Sequence, residues 1–138
     1  MRWRRGRELG DVAQAQHPMH EEWYRLPSAA AHTLNSTRAS GGRIWAVGTT
    51  SARTLESAAL RQLGTAFAST EGETRLFIRP GFEFRAVDRL ITNFHLPRST
   101  LLMLVAAFAG YELTMLAYRT AIAEGYRFYS YGDAMAIV

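Results

Sequence analysis

The chain has 138 residues, a formal net charge of +4 and no cysteine, and 48% of its residues are hydrophobic. A chain of this size forms one domain or part of a larger one, with enough apolar side chains for a core and too many for general disorder. The lack of cysteine excludes disulfides and thiolate metal sites. The longest unbroken apolar run, residues 101–109, is far shorter than the roughly 20 residues needed to span a bilayer, so no membrane partner is expected.

The basic residues are all arginine. Guanidinium groups bind phosphate or carboxylate through two parallel hydrogen bonds, but a coding bias explains the absence of lysine equally well. The modest net charge favours acidic partners such as nucleic acid only weakly. No apolar segment follows the basic start of the chain, so a secretory signal is not expected and the cytoplasm is the default location.

Residues 1–16 show no clear periodicity and include several arginines. They form either a nucleic-acid-binding arm or a disordered or displaced leader, and we favour the leader. His17 and His20 then stand three apart beside two glutamates, a spacing compatible with metal ligation. Pro18 argues against one helix presenting both histidines, so an edge segment that closes over a ligand or packs on the sheet is the better interpretation.

The next part of the chain alternates between helix and strand patterns. Residues 28–39 predict a helix ended by a Gly-Gly pair, and residues 43–48 predict a buried strand of the kind found in parallel sheets. A second helix is predicted over residues 52–63. This order is typical of an α/β fold.

Three hydroxyl residues separate that strand from the second helix, and they are Thr49, Thr50 and Ser51. A strand, a glycine and three hydroxyls ahead of a helix would present free N–H groups to an anion. An ordinary N-cap with a tight turn is the alternative. Arg53 and Glu56 lie three apart on the helix, where they can pair with each other.

Residues 64–73 are polar and rich in small side chains, and they predict a flexible loop. Two short strand patterns follow, over residues 74–78 and 84–87. They are joined through Pro80-Gly81. Because Pro-Gly is a strong turn signal, we predict a hairpin.

The most informative stretch begins at residue 90. Residues 90–94 alternate apolar and polar side chains as a half-buried strand does, Pro97 ends the extended run, and Ser99 or Thr100 can cap the helix that follows. Polar residues crowd this crossing, namely Asn93, His95, Arg98, Ser99 and Thr100. Open α/β sheets bind ligands beyond their strand ends, so this crossing is the candidate site.

After Gly110 a further helix is predicted over residues 112–124, with Gly125 ending it. Its expected buried side consists of Met115, Leu116, Ala117, Tyr118 and Ile122. Residues 128–131 predict a strand that Gly132-Asp133 interrupts with a turn or a close backbone approach. Asp133 is either a turn former or a functional carboxylate.

Five motifs stand in a fixed order along the chain. They are Ala-Val-Gly-Thr-Thr-Ser-x-Arg-Thr-Leu-Glu at residues 46–56, Phe-Ile-x-Pro-Gly-Phe at 77–82, Leu-Ile-Thr-Asn-Phe-His-Leu-Pro-x-Ser-Thr-Leu-Leu-Met-Leu-Val at 90–105, Phe-Ala-Gly-Tyr at 108–111 and Tyr-Arg-Phe-x-Ser-Tyr-Gly-Asp-Ala-Met at 126–135. Together with His-x-Met-His at 17–20, they make the chain resemble the S-adenosylmethionine:tRNA ribosyltransferase-isomerase family of queuosine biosynthesis.

The resemblance implies an enzyme that moves the ribosyl part of S-adenosylmethionine onto 7-aminomethyl-7-deazaguanine (preQ1) at the wobble position of a tRNA. Adenine and methionine would be released, and the epoxycyclopentanediol of epoxyqueuosine would form. S-adenosylmethionine would be consumed as a substrate, and neither a cofactor nor a metal is implied.

The resemblance also implies the architecture. The expected fold is α/β, a partial three-layer open sheet with flanking helices that lacks the family's N-terminal part and β-barrel-like domain. Residues 17–138 would be the C-terminal part of the α/β catalytic domain, and residues 1–16 an unstructured or unrelated leader. A truncated enzyme is therefore expected, with a complementing N-terminal half as a possible partner.

The chemistry of the family requires a rigidly held S-adenosylmethionine, acid/base groups near its ribose and a basic surface for tRNA. His95 and Asp133 are the catalytic candidates, the former because an unperturbed histidine titrates near neutrality. A structural histidine bonding the Pro97 turn is the alternative for His95. The substrate-binding candidates are Thr49, Thr50, Ser51, Arg53, Asn93, Arg98 and Ser99. The rival function is an inactive remnant or half of a split enzyme, at most a weak RNA-binding module.

Overall fold

A computed structural model describes residues 20–62 and 64–138 of the chain. The predicted leader and the first three residues of the His-x-Met-His segment lie outside them. The described chain divides into two compact units. The sheet unit comprises His20–Leu76, Glu83–Thr92 and Ala136–Val138, and the helical unit comprises Phe77–Phe82 and Asn93–Met135.

The described residues form four helices and five strands. In chain order they are β1 (Glu22–Leu26), α1 (Ser28–Ala39), β2 (Trp45–Val47), α2 (Thr49–Arg61), β3 (Thr70–Thr74), β4 (Arg89–Asn93), α3 (Thr100–Ala109), α4 (Tyr111–Ala123) and β5 (Ala134–Ile137). Within this part of the chain no single helix is long and apolar enough to cross a membrane, and the pair α3 and α4 is bent by 117°.

The strands form two small sheets. β1 and β3 pair antiparallel, with Glu22 opposite Thr74. The second sheet has the order β2-β4-β5, and β2 runs parallel to β4 with Trp45 opposite Arg89. Helix α2 follows β2 and packs on β1, β2 and β3. The predicted α/β class is confirmed, with the strands divided between two small sheets.

The predicted hairpin over residues 74–87 is wrong, although its turn is present. The Phe82 N–H donates to the Arg79 carbonyl at 3.0 Å, which closes the turn at Pro80-Gly81. Among the described residues, the second half of the predicted hairpin pairs with no facing strand, because a side chain accepts hydrogen bonds from its backbone amides. The Glu56 carboxylate, fully buried on α2, accepts the backbone N–H groups of Arg85, Ala86 and Val87 at 2.9, 3.0 and 3.0 Å.

Two further expectations for the sheet unit are wrong. The polar segment predicted as a loop contains β3, whose inward positions Thr70, Gly72 and Thr74 are small and polar and so give no apolar alternation. The predicted fully buried strand is β2, where only the central Ala46 is buried and Trp45 and Val47 are 48% and 66% exposed. Because successive side chains of a strand point to opposite faces, Trp45 and Val47 share one exposed face of β2 and Ala46 lies on the packed face.

Helix α3 of the helical unit begins and ends as predicted. The Ser99 hydroxyl accepts a hydrogen bond from the Leu102 N–H at 3.1 Å and caps α3, and α3 ends at Gly110. The core of this unit includes Ile78, Phe94, Leu102, Met103, Leu104, Val105, Ala106, Met115, Tyr118 and Ala121. On α4 the predicted buried side is right for Met115 and Tyr118, whereas Leu116 is exposed and Thr114 is buried instead.

The strand predicted over residues 128–131 does not form. Tyr129 has φ +75°, which no strand residue adopts, and its N–H donates to the Phe94 carbonyl at 3.0 Å. The chain turns here, with the Gly132 N–H donating to the Tyr129 carbonyl at 2.9 Å. The last strand, β5, begins only after this turn. The expectation of a turn or a close backbone approach at Gly132-Asp133 is therefore confirmed, because Gly132 closes this turn and lies close to the Arg127 carbonyl.

Candidate functional site

The crossing that follows β4 lies in the helical unit and brings Asn93 and Asp133 together. The Asn93 side-chain amide donates to the Asp133 carbonyl at 3.3 Å, and the Phe94 N–H donates to the same carbonyl at 3.4 Å. Two residues 40 positions apart in the chain are thereby joined. The sequence proposed both as site residues without showing that they meet.

Asp133 also shapes the turn that precedes it. Its carboxylate accepts the Arg127 N–H at 2.7 Å, and its own N–H donates to the Arg127 carbonyl at 2.8 Å. The Arg127 guanidinium lies 4.0 Å from the same carboxylate oxygen. Asp133 therefore acts as a turn former, and its catalytic role stays a prediction.

His95 is half-buried one residue beyond Phe94. Its backbone N–H donates to the Tyr118 hydroxyl oxygen at 2.9 Å, which ties the crossing to helix α4. Burial lowers the pKa of the His95 imidazole below its usual 6.5, so the ring is neutral at pH 7. Burial also raises the pKa of Tyr118 to about 12, against the opposing effect of the His95 hydrogen bond. A neutral imidazole can accept a proton.

Four aromatic rings surround this crossing. Phe94 lies 5.4 Å from Tyr118, 5.7 Å from Tyr126 and 5.3 Å from Phe128, measured between ring centroids. Tyr118 and Phe128 are 5.9 Å apart at an interplanar angle of 70°, an edge-to-face arrangement. The cluster holds the backbone beside His95 in place and lowers the local dielectric constant.

The other two site candidates of the crossing lie at the start of α3. Ser99 uses its hydroxyl oxygen as the helix cap, so its free hydrogen is what remains for a ligand. Arg98 is exposed and has φ +61°, a left-handed conformation that costs free energy in a residue with a side chain.

The hydroxyl candidates lie in the sheet unit. Thr49, Thr50 and Ser51 form the first turn of α2 rather than a segment ahead of it, which corrects the predicted helix start. Gly48 is the N-cap with φ +94°, a conformation that glycine adopts without steric cost, and it has no side chain to cap the helix. In the described part of the chain, none of the three hydroxyls has a hydrogen-bond partner.

Arg53 is buried on α2, and its predicted pairing with Glu56 is wrong. Its Nη1 donates to the Glu22 carboxylate at 2.5 Å, and its Nε donates to the Leu76 carbonyl at 3.1 Å. Within residues 20–62 and 64–138 its Nη2 has no hydrogen-bond partner. Arg53 thus binds a carboxylate, but one of its own chain.

The sheet unit also contains a cavity of about 350 Å³. Its lining residues are Arg38, Ala59, Gln62, Gly64, Thr65, Phe67 and Arg85. The Arg38 guanidinium lies 4.6 Å from the Phe67 ring centroid and donates to the carbonyls of Thr65 and Arg85. The lining includes none of the candidates predicted from the sequence.

The structure thus divides the predicted candidates between the two units. Asn93, His95, Arg98, Ser99 and Asp133 belong to the helical unit, and Thr49, Thr50, Ser51 and Arg53 to the sheet unit. Within the described ranges no group of three or more His, Asp or Glu side chains could hold a metal ion.

Sequence reasoning missed two residues that organise these regions. Glu56 stands four positions after Ala52, so the two residues share the buried face of α2. This spacing could have predicted a buried carboxylate from the sequence. The Tyr118 ring was expected to be buried, but its hydroxyl partner is a backbone N–H 23 residues away, which no local pattern reveals.

Comparison with known proteins identifies the family. A family model for "Queuosine biosynthesis protein" matches residues 8–137, beginning within the predicted leader. Relatives named S-adenosylmethionine:tRNA ribosyltransferase-isomerase, from Burkholderia cenocepacia and Burkholderia ambifaria, are each 58% identical over 125 residues. These residues are 89% of this chain but 35% of each relative, so the chain spans about a third of their length.

A solved structure agrees. The crystal structure of S-adenosylmethionine tRNA ribosyltransferase from Thermotoga maritima aligns with a TM-score of 0.80 and 54% identity, over 84% of this chain and 40% of that one. The fold, the motifs and the matched length lead to one conclusion: the chain belongs to the family of queuosine biosynthesis proteins.

Proposed function

We propose that this chain supplies the C-terminal part of the catalytic domain of an S-adenosylmethionine:tRNA ribosyltransferase-isomerase. The reaction transfers and isomerises the ribosyl moiety of S-adenosylmethionine onto preQ1 at the tRNA wobble position and gives epoxyqueuosine. S-adenosylmethionine is a substrate, and no cofactor takes part. The observation that carries the proposal is the 58% identity over 125 residues to relatives with that name.

His95 is the proton-transfer group in this proposal. Joining a ribosyl carbon to an amine, with loss of adenine, requires protons to leave and enter at defined atoms. The lowered pKa of His95 keeps the imidazole neutral, which suits it to accept a proton. The hydrogen bond from its backbone N–H to the Tyr118 hydroxyl fixes the position of the residue next to helix α4.

The remaining candidates bind substrate. The first-turn amides and hydroxyls of Thr49, Thr50 and Ser51 receive an anionic or polar group of S-adenosylmethionine, because a helix start attracts negative charge and these hydroxyls have no partner in the described chain. Three residues of the helical unit, Asn93, Ser99 and Asp133, orient ribose hydroxyls. Arg98 contacts a phosphate or carboxylate. Arg53 does so through its Nη2, which has no hydrogen-bond partner within residues 20–62 and 64–138.

In our proposal, the full activity requires further residues beyond this chain, and a complementing N-terminal half provides these residues. The relatives extend well beyond the matched part. The exposure of Trp45 and Val47 on β2 supports a covering segment, since two large apolar side chains on one strand face are usually buried. An inactive remnant is the second candidate, and the same assay separates the two.

The test is adenine release from S-adenosylmethionine in the presence of preQ1-tRNA. The chain is assayed alone and with the N-terminal part of the Burkholderia cenocepacia relative supplied in trans, and the full-length relative is the positive control. We expect no release from the chain alone and release from the pair. No release from the pair while the relative is active would identify the chain as an inactive remnant, and release that does not depend on preQ1-tRNA would contradict the proposed transfer to tRNA.

A further inference from the structure

We propose that the turn formed by residues 126–133 is a platform on which unpaired bases of the RNA substrate stack. This inference rests on the proposed function, because it takes tRNA as the partner. Three tyrosines of the turn, Tyr126, Tyr129 and Tyr131, are 49%, 58% and 98% exposed. Single exposed aromatic residues are ordinary on protein surfaces, but three within six positions form a concentrated feature.

The turn is held by hydrogen bonds between its own residues. Two hydrogen bonds join Arg127 to Asp133, one from the Arg127 N–H to the carboxylate at 2.7 Å and one from the Asp133 N–H to the Arg127 carbonyl at 2.8 Å. A side chain at Gly132 would collide with the carbonyls of Arg127 and Phe128, so the chain is packed closely here. A rigid support reduces the entropy lost when a ligand binds.

Tyr129 adds an observation of a different kind. Its φ of +75° is unfavourable for a bulky side chain, and hydrogen bonds to Phe94 and Gly132 hold it there. Residues kept in such conformations cluster at functional sites, because the surrounding structure must hold them against strain.

The chemistry of the turn favours RNA. Every base has a flat face that stacks on an aromatic ring, and proteins recognise unpaired RNA bases by such stacking. The Arg127 side chain is 78% exposed, and its Nε lies 4.0 Å from an Asp133 carboxylate oxygen, which is a long contact. The guanidinium therefore remains accessible to a phosphate. The turn has no aliphatic side chain, and its exposed side chains include three tyrosine rings and a guanidinium. An RNA with unpaired bases, such as an anticodon loop, therefore fits it best.

The experiment measures binding of the full chain to a fluorescently labelled anticodon stem-loop. We expect Tyr131→Ala to raise the dissociation constant about fivefold or more, which is the effect of removing one base–aromatic stack. Tyr131→Phe and Tyr131→Trp should bind like the wild type, and Tyr131→Leu should be as weak as the alanine variant because it lacks a flat ring. Since Tyr131 is 98% exposed, thermal unfolding of all four variants should be unchanged.

The matched control is Trp23→Ala, which removes an exposed aromatic ring from β1 and should leave RNA affinity unchanged. The proposal is overturned if the wild type does not bind the stem-loop while the full-length relative does, or if Tyr131→Ala binds as well as the wild type. Wild-type affinity of Tyr131→Leu would overturn it too, and would point to an apolar protein contact instead.

The binding assay tests the stacking platform, and the adenine-release assay tests the proposed reaction, so each proposal can fail without the other. If Tyr131→Ala loses RNA affinity but the complemented wild-type chain releases no adenine, the stacking platform stands and the proposed reaction fails. If the complemented chain releases adenine and Tyr131→Ala leaves both the affinity and the KM for tRNA unchanged, the reaction stands and the stacking platform fails.

Discussion

Helices α2 and α3 are fixed in their units by opposite means. The buried residues of α2 are Ala52, Arg53, Glu56, Ser57 and Ala58, of which three are polar or charged, whereas those of α3 are all apolar. The first turn of α3 is closed by the Ser99 cap, whereas α2 begins at Gly48 without a side-chain cap. The first-turn N–H groups and hydroxyls of α2 are therefore available to a ligand. At α3 the Ser99 side chain occupies the helix start, so the other candidate residues of that region lie in the segment before the helix.

The first and largest expected effect tests how α2 is held. Glu56→Ala leaves three backbone N–H groups without an acceptor, two of them buried, and we expect it to lower the free energy of unfolding by about 3 kcal/mol or more. Glu56→Gln should cost less, because its carbonyl still accepts. Urea denaturation measures both. A loss below about 0.5 kcal/mol for the alanine variant would show that the carboxylate does not hold the segment.

The second prediction compares the two helix starts directly. Ser99→Ala removes the cap of α3 and should lower the free energy of unfolding by about 1 kcal/mol. Thr50→Ala in the first turn of α2 should change it by less than about 0.5 kcal/mol, because this exposed hydroxyl has no partner in the described chain. If thermal or urea unfolding shows that Ser99→Ala and Thr50→Ala lower the free energy of unfolding equally, the two helix starts do not differ as described.

The third prediction asks whether the open start binds substrate. With the complementing half present, Thr50→Ala should weaken S-adenosylmethionine binding about fivefold, the effect of losing one hydrogen bond. Isothermal titration calorimetry measures the affinity, and Leu113→Ala on α4, an exposed position, is the control. Unchanged affinity in Thr50→Ala would remove the hydroxyl residues from the substrate site.

The smallest expected effect concerns the crossing before α3. Because the folded-state pKa of His95 lies below its unfolded value of 6.5, the unfolded chain binds the proton more readily. This contribution to stability is complete above pH 6.5 and is lost as the pH falls through the folded-state pKa. Urea midpoints at pH 7.5 and 5.5 should therefore differ more for the wild type than for His95→Gln. The same difference in both proteins would show that His95 does not cause it.

What the sequence could predict is what nearby residues determine. The strand β4, the stop at Pro97, the Ser99 cap and the end of α3 at Gly110 all follow from signals within a few positions of each other. The predicted site candidates around Asn93 lie at this crossing for the same reason. Local turn chemistry also gave the turn at Gly132-Asp133.

What the sequence could not predict depends on partners far along the chain. The strand β3 has small polar inward positions, so its pairing with β1 leaves no apolar pattern. The hairpin failed because Glu56, about 30 residues upstream, takes the amides that a facing strand would have used. Arg53 likewise pairs with Glu22, 31 positions away, rather than with its helix neighbour.

The most direct test of the central claim is adenine release by the complemented chain carrying His95→Gln. If His95 transfers a proton in the reaction, the turnover rate at pH 7.5 should fall about 100-fold or more, while affinity for S-adenosylmethionine and tRNA stays near that of the wild type. A near-normal rate with an unchanged pH–rate profile would contradict the account and leave His95 as a structural residue of the crossing.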